Sequence, residues 1–347
     1  MEFRLDEAQV ELQQTVARLC RDRVPLDLIA EREGRAVDPQ VWAALAELGV
    51  LGLMVPEAEG GVGLGVIEAA IVFEQLGSHP FGGPLVWSVL AAPYLAGVTE
   101  GSTIVTGIEA SSIVDGSALV EHLDAATVML VVHGDRVVAH DVASLPPATP
   151  LEPLDPLATI SRLDGLDGLD GLAAGDAGGG QVIVEGAAEV EGFVTLAKVL
   201  GAALLSGVAD SSLHVARDYA LEREQFGAAI GSFQAVKHLL ADMYGRTVSA
   251  QSLTYAAAAV LDDPIEGDTP ARDAASAKLL AADAAITNAS TAVQILGGMG
   301  FTWDMLPNYL LKRAWALDNE FGTVEHHEAL VGRAVGALVS TLAGEVG

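Results

Sequence analysis

Cysteine, basic residues and long apolar runs are scarce in this sequence, and each scarcity excludes something. Cys20 is the single cysteine, so an intrachain disulfide and a multi-cysteine zinc or iron-sulfur cluster are both ruled out, and a reducing cytoplasm is the expected compartment. Eighteen Lys and Arg stand against 47 Asp and Glu, a formal net charge of −29, which repels the phosphates of nucleic acid and an anionic membrane surface. Neither is an expected partner. The N-terminal MEFRLDEAQVELQQ lacks the basic and continuous apolar regions of a signal peptide. No stretch reaches the roughly 18 uninterrupted apolar residues of a spanning helix, so the chain reads as soluble.

What is present is length and periodicity. At 347 residues the chain can bury a large core and is expected to form two or three domains. Asp6 is a candidate N-cap with Gln9 three residues on, and Leu12, Val16, Leu19 and Cys20 follow at helical spacing until Pro25. A second helix is expected from Pro39 to Leu48, stopping at Gly49. VPEAEGGVGLG (55–65) reads as a Gly-rich loop, and Val66 to Leu76 as a third helix closed by Gly77. The pattern then changes. TIVTGI (103–108), TVMLVVHGDRVVAHDV (127–142) and QVIVEG (181–186) are short Val- and Ile-rich runs, with HGDR (133–136) a hairpin turn. LDGLDGLDGLAAGDAGGG (163–180) reads as a loop; a calcium-binding repeat is the sharper alternative, but paired glycines at a nonapeptide period are missing. Helical spacing returns with Leu196, Leu200, Leu204 and Val208, then Val236, Leu239, Leu240 and Met243. Ala-rich segments at about 270–296 and 323–344 complete four candidates for an up-and-down bundle.

Three segments carry candidate chemistry. In YALEREQFGAAIGSFQAVKHLLADM (219–243), Arg223, Gln225 and Phe226 share a turn, and Phe233 and Gln234 open the next helix. An Arg fork and a helix N-terminus can together hold a pyrophosphate, although an ordinary interhelical loop has the same look. QILGGMGFTW (294–303) pairs glycines that let a backbone or a flat ligand come close, or that merely cap a helix. LDNEFGTVEHHE (317–328) gathers Asp318, Glu320, Glu325 and Glu328 around His326 and His327. Adjacent histidines do not share a helical face, so a zinc pair of the HExxH kind does not fit. The acidic residues also suit the solvated start of a helix.

Together these segments resemble the acyl-CoA dehydrogenase family. FRLDEAQ, ELGVLGLMVPEAEGGVGLG, REQFGAAIGSFQAVKHLLADM, QILGGMGFTW and LKRAW stand in family order over nearly the whole chain. The resemblance implies an α+β, mainly α fold: an N-terminal helical domain (1–100), a middle β domain (101–190) and a C-terminal four-helix bundle (191–347). It implies FAD. Arg223, Glu224, Gln225 and Phe226, with Phe233 and Gln234, match the segment that reaches the adenine and pyrophosphate of an FAD lodged mainly in a neighbouring subunit. Gln294, Gly297 and Gly298 match a second such segment, and Thr323 to Glu325 a third, with Glu325 where Gln is commoner.

The same resemblance exposes departures. Family chemistry removes a proton beside the thioester carbonyl with a carboxylate while the β-carbon gives hydride to the flavin. The matching YEGT-like motif here is EFGT, Glu320 to Thr323, which puts Phe321 at the base position; the alternative position on the first bundle helix holds Ala197, followed by Lys198. Glu320 is one step away, about 100° round a helix. Where the family has a TEPGAGSD-like loop this chain has TGIEASSIVDGSA (106–118), residues 101–190 contain no Trp to seat a flavin ring, and Thr195 and Lys198 replace an acyl-CoA-holding Asp and Arg. The expectation is therefore a base-lacking subunit of a heteromeric α2β2 enzyme, similar to the actinobacterial dehydrogenases that shorten steroid side chains. A second family subunit would hold most of the acyl-CoA, and an electron-transferring flavoprotein would be the acceptor. Two alternatives stay open: a self-sufficient homo-oligomer using Glu320, and a flavin-free scaffolding subunit.

Overall fold

The computed structural model describes residues 5–345 apart from 36, 80–81, 167–179, 268 and 303–304, and the side chains up to residue 336. The chain opens on the capping box read above: the Gln9 N–H donates to Asp6 Oδ1 (2.8 Å) and the Asp6 N–H to Gln9 Oε1 (3.1 Å), satisfying two otherwise orphaned donors. Helix α1 (Glu7–Arg23) follows, then α2 (Pro39–Glu47), α3 (Val66–Ser78) and α4 (Leu85–Ala91). Asp38 caps α2, accepting from the Gln40 and Val41 N–H groups, and Gly49, at φ 82°, ends it in the left-handed region.

Contacts divide the chain into two units. One holds residues 21–65 and 81–197, with α2, α4 and seven strands: β1 (Val105–Glu109), β2 (Ser117–Glu121), β3 (Val128–His133), β4 (Arg136–Asp141), β5 (Ala148–Leu151), β6 (Ile160–Asp164) and β7 (Gln181–Glu185). They form a sheet of order β1-β3-β4-β7 and a second of order β2-β6-β5. The HGDR hairpin is present in the expected register, His133 opposite Arg136, with Gly134 at φ 52°. Ile108, Val120, Met129, Val131 and Leu163 close the core between the two sheets. Strands β2, β5 and β6 were not separated in the sequence reading. Of the Gly- and Asp-rich tract, 163–164 belong to β6, and 167–179, where the loop and calcium-repeat readings fall, lie outside the described residues.

The other unit holds residues 1–20, 66–80 and 198–347. Its frame is α5 (Ala187–Glu222, which begins in the first unit), α6 (Gln234–Asp262), α7 (Pro270–Leu296), α8 (Leu306–Asn319) and α9 (Val324–Glu345). Leu200, Leu204 and Val208 face inward as their spacing requires, whereas Leu239 is 37% exposed. Helix α8 is an addition to the four expected. Gly77 does not close α3. It lies inside the helix, and a Cβ there would come 2.0 Å from the Leu204 carbonyl oxygen on α5, so this glycine serves close packing rather than chain reversal. The first turn of α3 is capped from afar, Asp262 accepting from Val66 N–H (2.7 Å) and Ile67 N–H (2.9 Å).

One buried amide ties the bundle together. Asn288 on α7 donates to the Met243 carbonyl (3.1 Å), Thr247 Oγ1 (2.9 Å) and the Ala209 carbonyl (3.3 Å), and accepts from Arg246 Nε (2.9 Å). Helices α5, α6 and α7 thus meet on a fully satisfied polar group, the condition under which burial is tolerated. Two segments, Ala187–Glu222 and Pro270–Phe301, are long and apolar enough to cross a membrane by length and composition, but 83% and 56% of their apolar windows are buried inside the protein. They are core helices.

Candidate functional site

The first candidate segment folds as a tight hairpin between α5 and α6. Strands β8 (Glu224–Gln225) and β9 (Ala228–Ala229) pair in antiparallel register, leaving Phe226 (φ 55°) and Gly227 (φ 82°) as the two turn residues. Two left-handed residues make a type I′ turn, the geometry whose twist matches a hairpin. The Arg223 N–H donates to the Tyr219 carbonyl (2.9 Å) and the Ile230 N–H to the Arg223 carbonyl (2.8 Å), while Gln225 Nε2 donates to the Glu224 carbonyl (2.8 Å). Arg223 itself is exposed. Phe226 is 95% exposed, its ring edge-on to Phe233 with centroids 6.3 Å apart. Phe233 is the N-cap of α6 and offers no side-chain cap, while the Val236 and Lys237 N–H groups donate to its carbonyl (3.1 Å each), so the helix start at Gln234 is the end to which its dipole would draw an anion.

The second segment ends α7. Gly297 adopts φ 65°, ψ −141°, a conformation essentially restricted to glycine. A Cβ added at Gly297 or Gly298 meets no atom within 4 Å, whereas at Gly300 it would strike the Val293 carbonyl oxygen at 2.6 Å. The first pair borders open space and the third glycine serves packing. Ile295 packs against the cluster of Ala216, Met243 and Ala292 beside Leu240, which places Gln294 at the hairpin end of the bundle. The first two segments therefore lie together.

The third segment does not join them. Helix α8 ends at Asn319, Phe321 (φ 55°) and Gly322 (φ 104°) reverse the chain, and Thr323 starts α9, its hydroxyl accepting from the His326 N–H (3.4 Å). Lys278 of α7 reaches this turn, and Lys278 and Gln294 stand sixteen residues apart on α7, about 24 Å along a helix axis. Glu325 is exposed, and its own N–H and the Thr323 hydroxyl hold the carboxyl below the ordinary range.

Around the expected base position the structure places cations. Phe321 is 2% exposed and accepts no proton. Glu320 is partly buried; burial pushes its carboxyl up, while Arg313 and Lys278 pull it back. Lys278 is fully buried, and Arg313 and Lys198 nearly so. His327 is likewise 0% exposed, and burial, then Lys278, Lys198 and His326, depress its ring to about 3, keeping it neutral at physiological pH. The His326 and His327 rings meet edge to face, centroids 5.4 Å apart. On α5, Thr195 and Ala197 are buried, so the alternative base position is apolar and closed. Lys278 and Arg313 escaped the sequence reading, yet Lys278 carries a signal: it follows Ala274 by four residues and precedes Ala281 and Ala285 by three and seven, on the buried face of an Ala-rich helix.

Comparison with known proteins bears on these segments. Residues 6–99 match the acyl-CoA dehydrogenase N-terminal domain and residues 185–336 its C-terminal domain. Acyl-CoA dehydrogenase IpdE2 of Mycobacterium tuberculosis is 30% identical over 292 residues, 81% of this chain and 81% of that protein. The chain belongs to the acyl-CoA dehydrogenase family. Among solved structures, the ChsE4-ChsE5 complex of M. tuberculosis aligns over 97% of this chain and 99% of that one with a TM-score of 0.77 at 23% identity. The Tcur3481-Tcur3483 steroid acyl-CoA dehydrogenase aligns over 96% and 99% with a TM-score of 0.79 at 22% identity. Both show the fold. Family membership makes the chain part of an oxidoreductase system and implies FAD. The residues on hand fit one part of that cofactor: open glycines at 297 and 298, an exposed guanidinium at 223 and an uncapped helix N-terminus at 234 suit its pyrophosphate and adenine. Residues 101–190 hold no Trp to seat the isoalloxazine ring.

Proposed function

We propose that this chain is the base-lacking subunit of a heteromeric, α2β2, FAD-dependent acyl-CoA dehydrogenase acting on a bulky thioester of the steroid side-chain kind. The observation that carries the reading is Phe321, a buried aromatic where the family resemblance calls for a proton acceptor. The nearest carboxylate, Glu320, stands one residue from that position, its carboxyl raised by burial against the pull of Arg313 and Lys278. The segments suited to the nucleotide half of FAD survive while the base and ring seat do not. Random decay offers no reason for that selectivity; a division of labour does.

In this reading Arg223 and the α6 N-terminus bind the pyrophosphate of an FAD housed mainly in the partner, Phe226 and Phe233 flank its adenine, and Gly297 and Gly298 allow close backbone approach. FAD held there would supply the hydride acceptor, and a carboxylate of the partner subunit would have to supply the base. Support for a mixed assembly comes from the likeness to the ChsE4-ChsE5 complex and to the Tcur3481-Tcur3483 pair, and an electron-transferring flavoprotein is the matching acceptor. Expressed alone, the chain is expected to hold little FAD and to be inactive; co-expressed with its partner it should yield about one flavin per pair, and Arg223→Ala should lower that content several-fold. Full flavin loading and turnover by the isolated chain, abolished by Glu320→Gln, would instead establish a self-sufficient enzyme. Unchanged flavin in Arg223→Ala would remove the shared-cofactor role and leave a scaffold.

A further inference from the structure

Helix α8 and helix α9 are joined by only Glu320, Phe321, Gly322 and Thr323, and two of these sit at positive φ. A reversal that short, with a left-handed Phe inside it, persists only where its surroundings hold it. The hold is visible. Lys278 Nζ donates to the Leu317 carbonyl (2.9 Å) and the Asp318 carbonyl (3.3 Å), the last turn of α8, where a cation also opposes the helix dipole. The lysine stem lies against α5, where a Cβ on Gly201 would approach Lys278 Cε to 3.2 Å, so the side chain has little room to move. Below the turn, Phe321 is 2% exposed and His327 fully buried, and a Cβ on Gly322 would come 3.0 Å from His327 Cε1. The turn thus follows directly on two carbonyls held by an ammonium, and its Gly322 lies against the His326 and His327 rings.

Burying an ammonium costs more than burying a methionine of similar reach. The charge does two things an apolar chain cannot: it bonds two carbonyls at once and acts on the neighbouring Glu320 carboxyl. We propose that Lys278 is a positioning residue: seated on the Leu317 and Asp318 carbonyls, its ammonium fixes the 320–323 turn that presents Thr323 and Glu325 to a flavin nucleotide other than the one at Arg223 and Gly297, which lies about 24 Å away along α7. The proposal rests on the reading of Thr323 and Glu325 as cofactor-facing. Lys278 touches neither substrate nor cofactor and acts through the turn.

The test uses the full chain in the assembly in which it purifies with FAD, comparing wild type, Lys278→Met and Gly201→Ala by hydrogen exchange over 317–327, with residues 200–215 as internal reference, and by retained FAD. Lys278→Met is expected to speed exchange over 317–327 at least tenfold while the reference stays unchanged, and to weaken FAD retention at least threefold. Gly201→Ala keeps the charge but presses on the lysine stem. Although glycine-to-alanine inside a helix ordinarily stabilises, it should speed exchange over 317–327 a few-fold, and it decides the matter if Lys278→Met fails to fold. Unchanged exchange at 317–327 in the folded variants overturns the proposal. Faster exchange with undiminished FAD overturns the positioning role as well, and Arg223→Ala in the same assembly then reports separately whether the shared-cofactor reading stands.

Discussion

At the scale of single residues, several of the most informative groups are buried and ionisable. Glu74 on α3 is 5% exposed, accepts from Tyr255 Oη (2.8 Å) and Gln251 Nε2 (3.2 Å), and lies near Asp210, which pairs with His214 at 3.2 Å. Burial lifts its pKa from 4.5 to about 7, opposed by the Tyr255 hydrogen bond and reinforced by Asp210. The folded state therefore keeps a proton that the unfolded chain surrenders between those two values. Stability from this site is fully present below pH 4.5 and is lost as pH rises to about 7, a swing on the order of 3 kcal/mol. Glu74→Gln retains an acceptor for Tyr255 and removes the ionisation. Urea unfolding at pH 5 and pH 8 should show the variant gaining on the wild type by about 2–3 kcal/mol at the higher pH; a difference that does not change with pH would mean that Glu74 is ionised in the fold throughout.

At the scale of elements, the β8–β9 hairpin carries a conflict between local preference and use. A type I′ turn favours Asn-Gly, yet its first position holds Phe226 at φ 55°, which costs about 1 kcal/mol or more for a residue with a bulky side chain. Its exposed edge contact with Phe233 returns less, since aromatic pairs give about 0.5–1.5 kcal/mol when buried. Phe226→Asn should accordingly raise the unfolding free energy of the isolated chain by about 0.5–1 kcal/mol while lowering the FAD held by the assembly. A variant that gains stability and keeps its flavin would show that the ring has no cofactor role.

Elements also show what the sequence could and could not disclose. The capping box at Asp6, the HGDR hairpin and the apolar faces of α5 and α7 were legible, because each rests on contacts within a few residues. Strand β5 was not: all four of its residues are exposed, so it has no alternation to read. Gly77 looked like a stop signal, because sequence alone does not distinguish a glycine that reverses the chain from one that admits a neighbouring backbone. Helix α8 begins on Leu306 and Pro307 and passed as a motif. At the candidate site, the resemblance located the turn at 320–323 and its missing carboxylate. The ammonium that holds it comes from a helix some forty residues earlier, a long-range pairing with only a weak local trace.

At the scale of the whole molecule, charge constrains assembly. A second copy of this chain would also carry −29, so self-association works against a repulsion that salt screens over about 10 Å at 0.1 M. Apolar contacts, among them the exposed Phe226, Leu221, Met299 and Phe301, favour association with either kind of partner, but only a less acidic one avoids the electrostatic penalty. Sedimentation of the isolated chain should therefore show little self-association at about 20 mM salt and more at about 0.5 M, where the Debye length has shrunk to a few ångströms. The flavin-loaded heteromer should behave in the opposite sense if its second subunit is basic, loosening as salt rises, and should change little if that subunit is near neutral. A homotetramer stable and yellow at low salt would mean that the apolar interface outweighs the repulsion without help. The division of labour inferred from Phe321 would then have to give way to a single kind of subunit that finds its proton acceptor elsewhere.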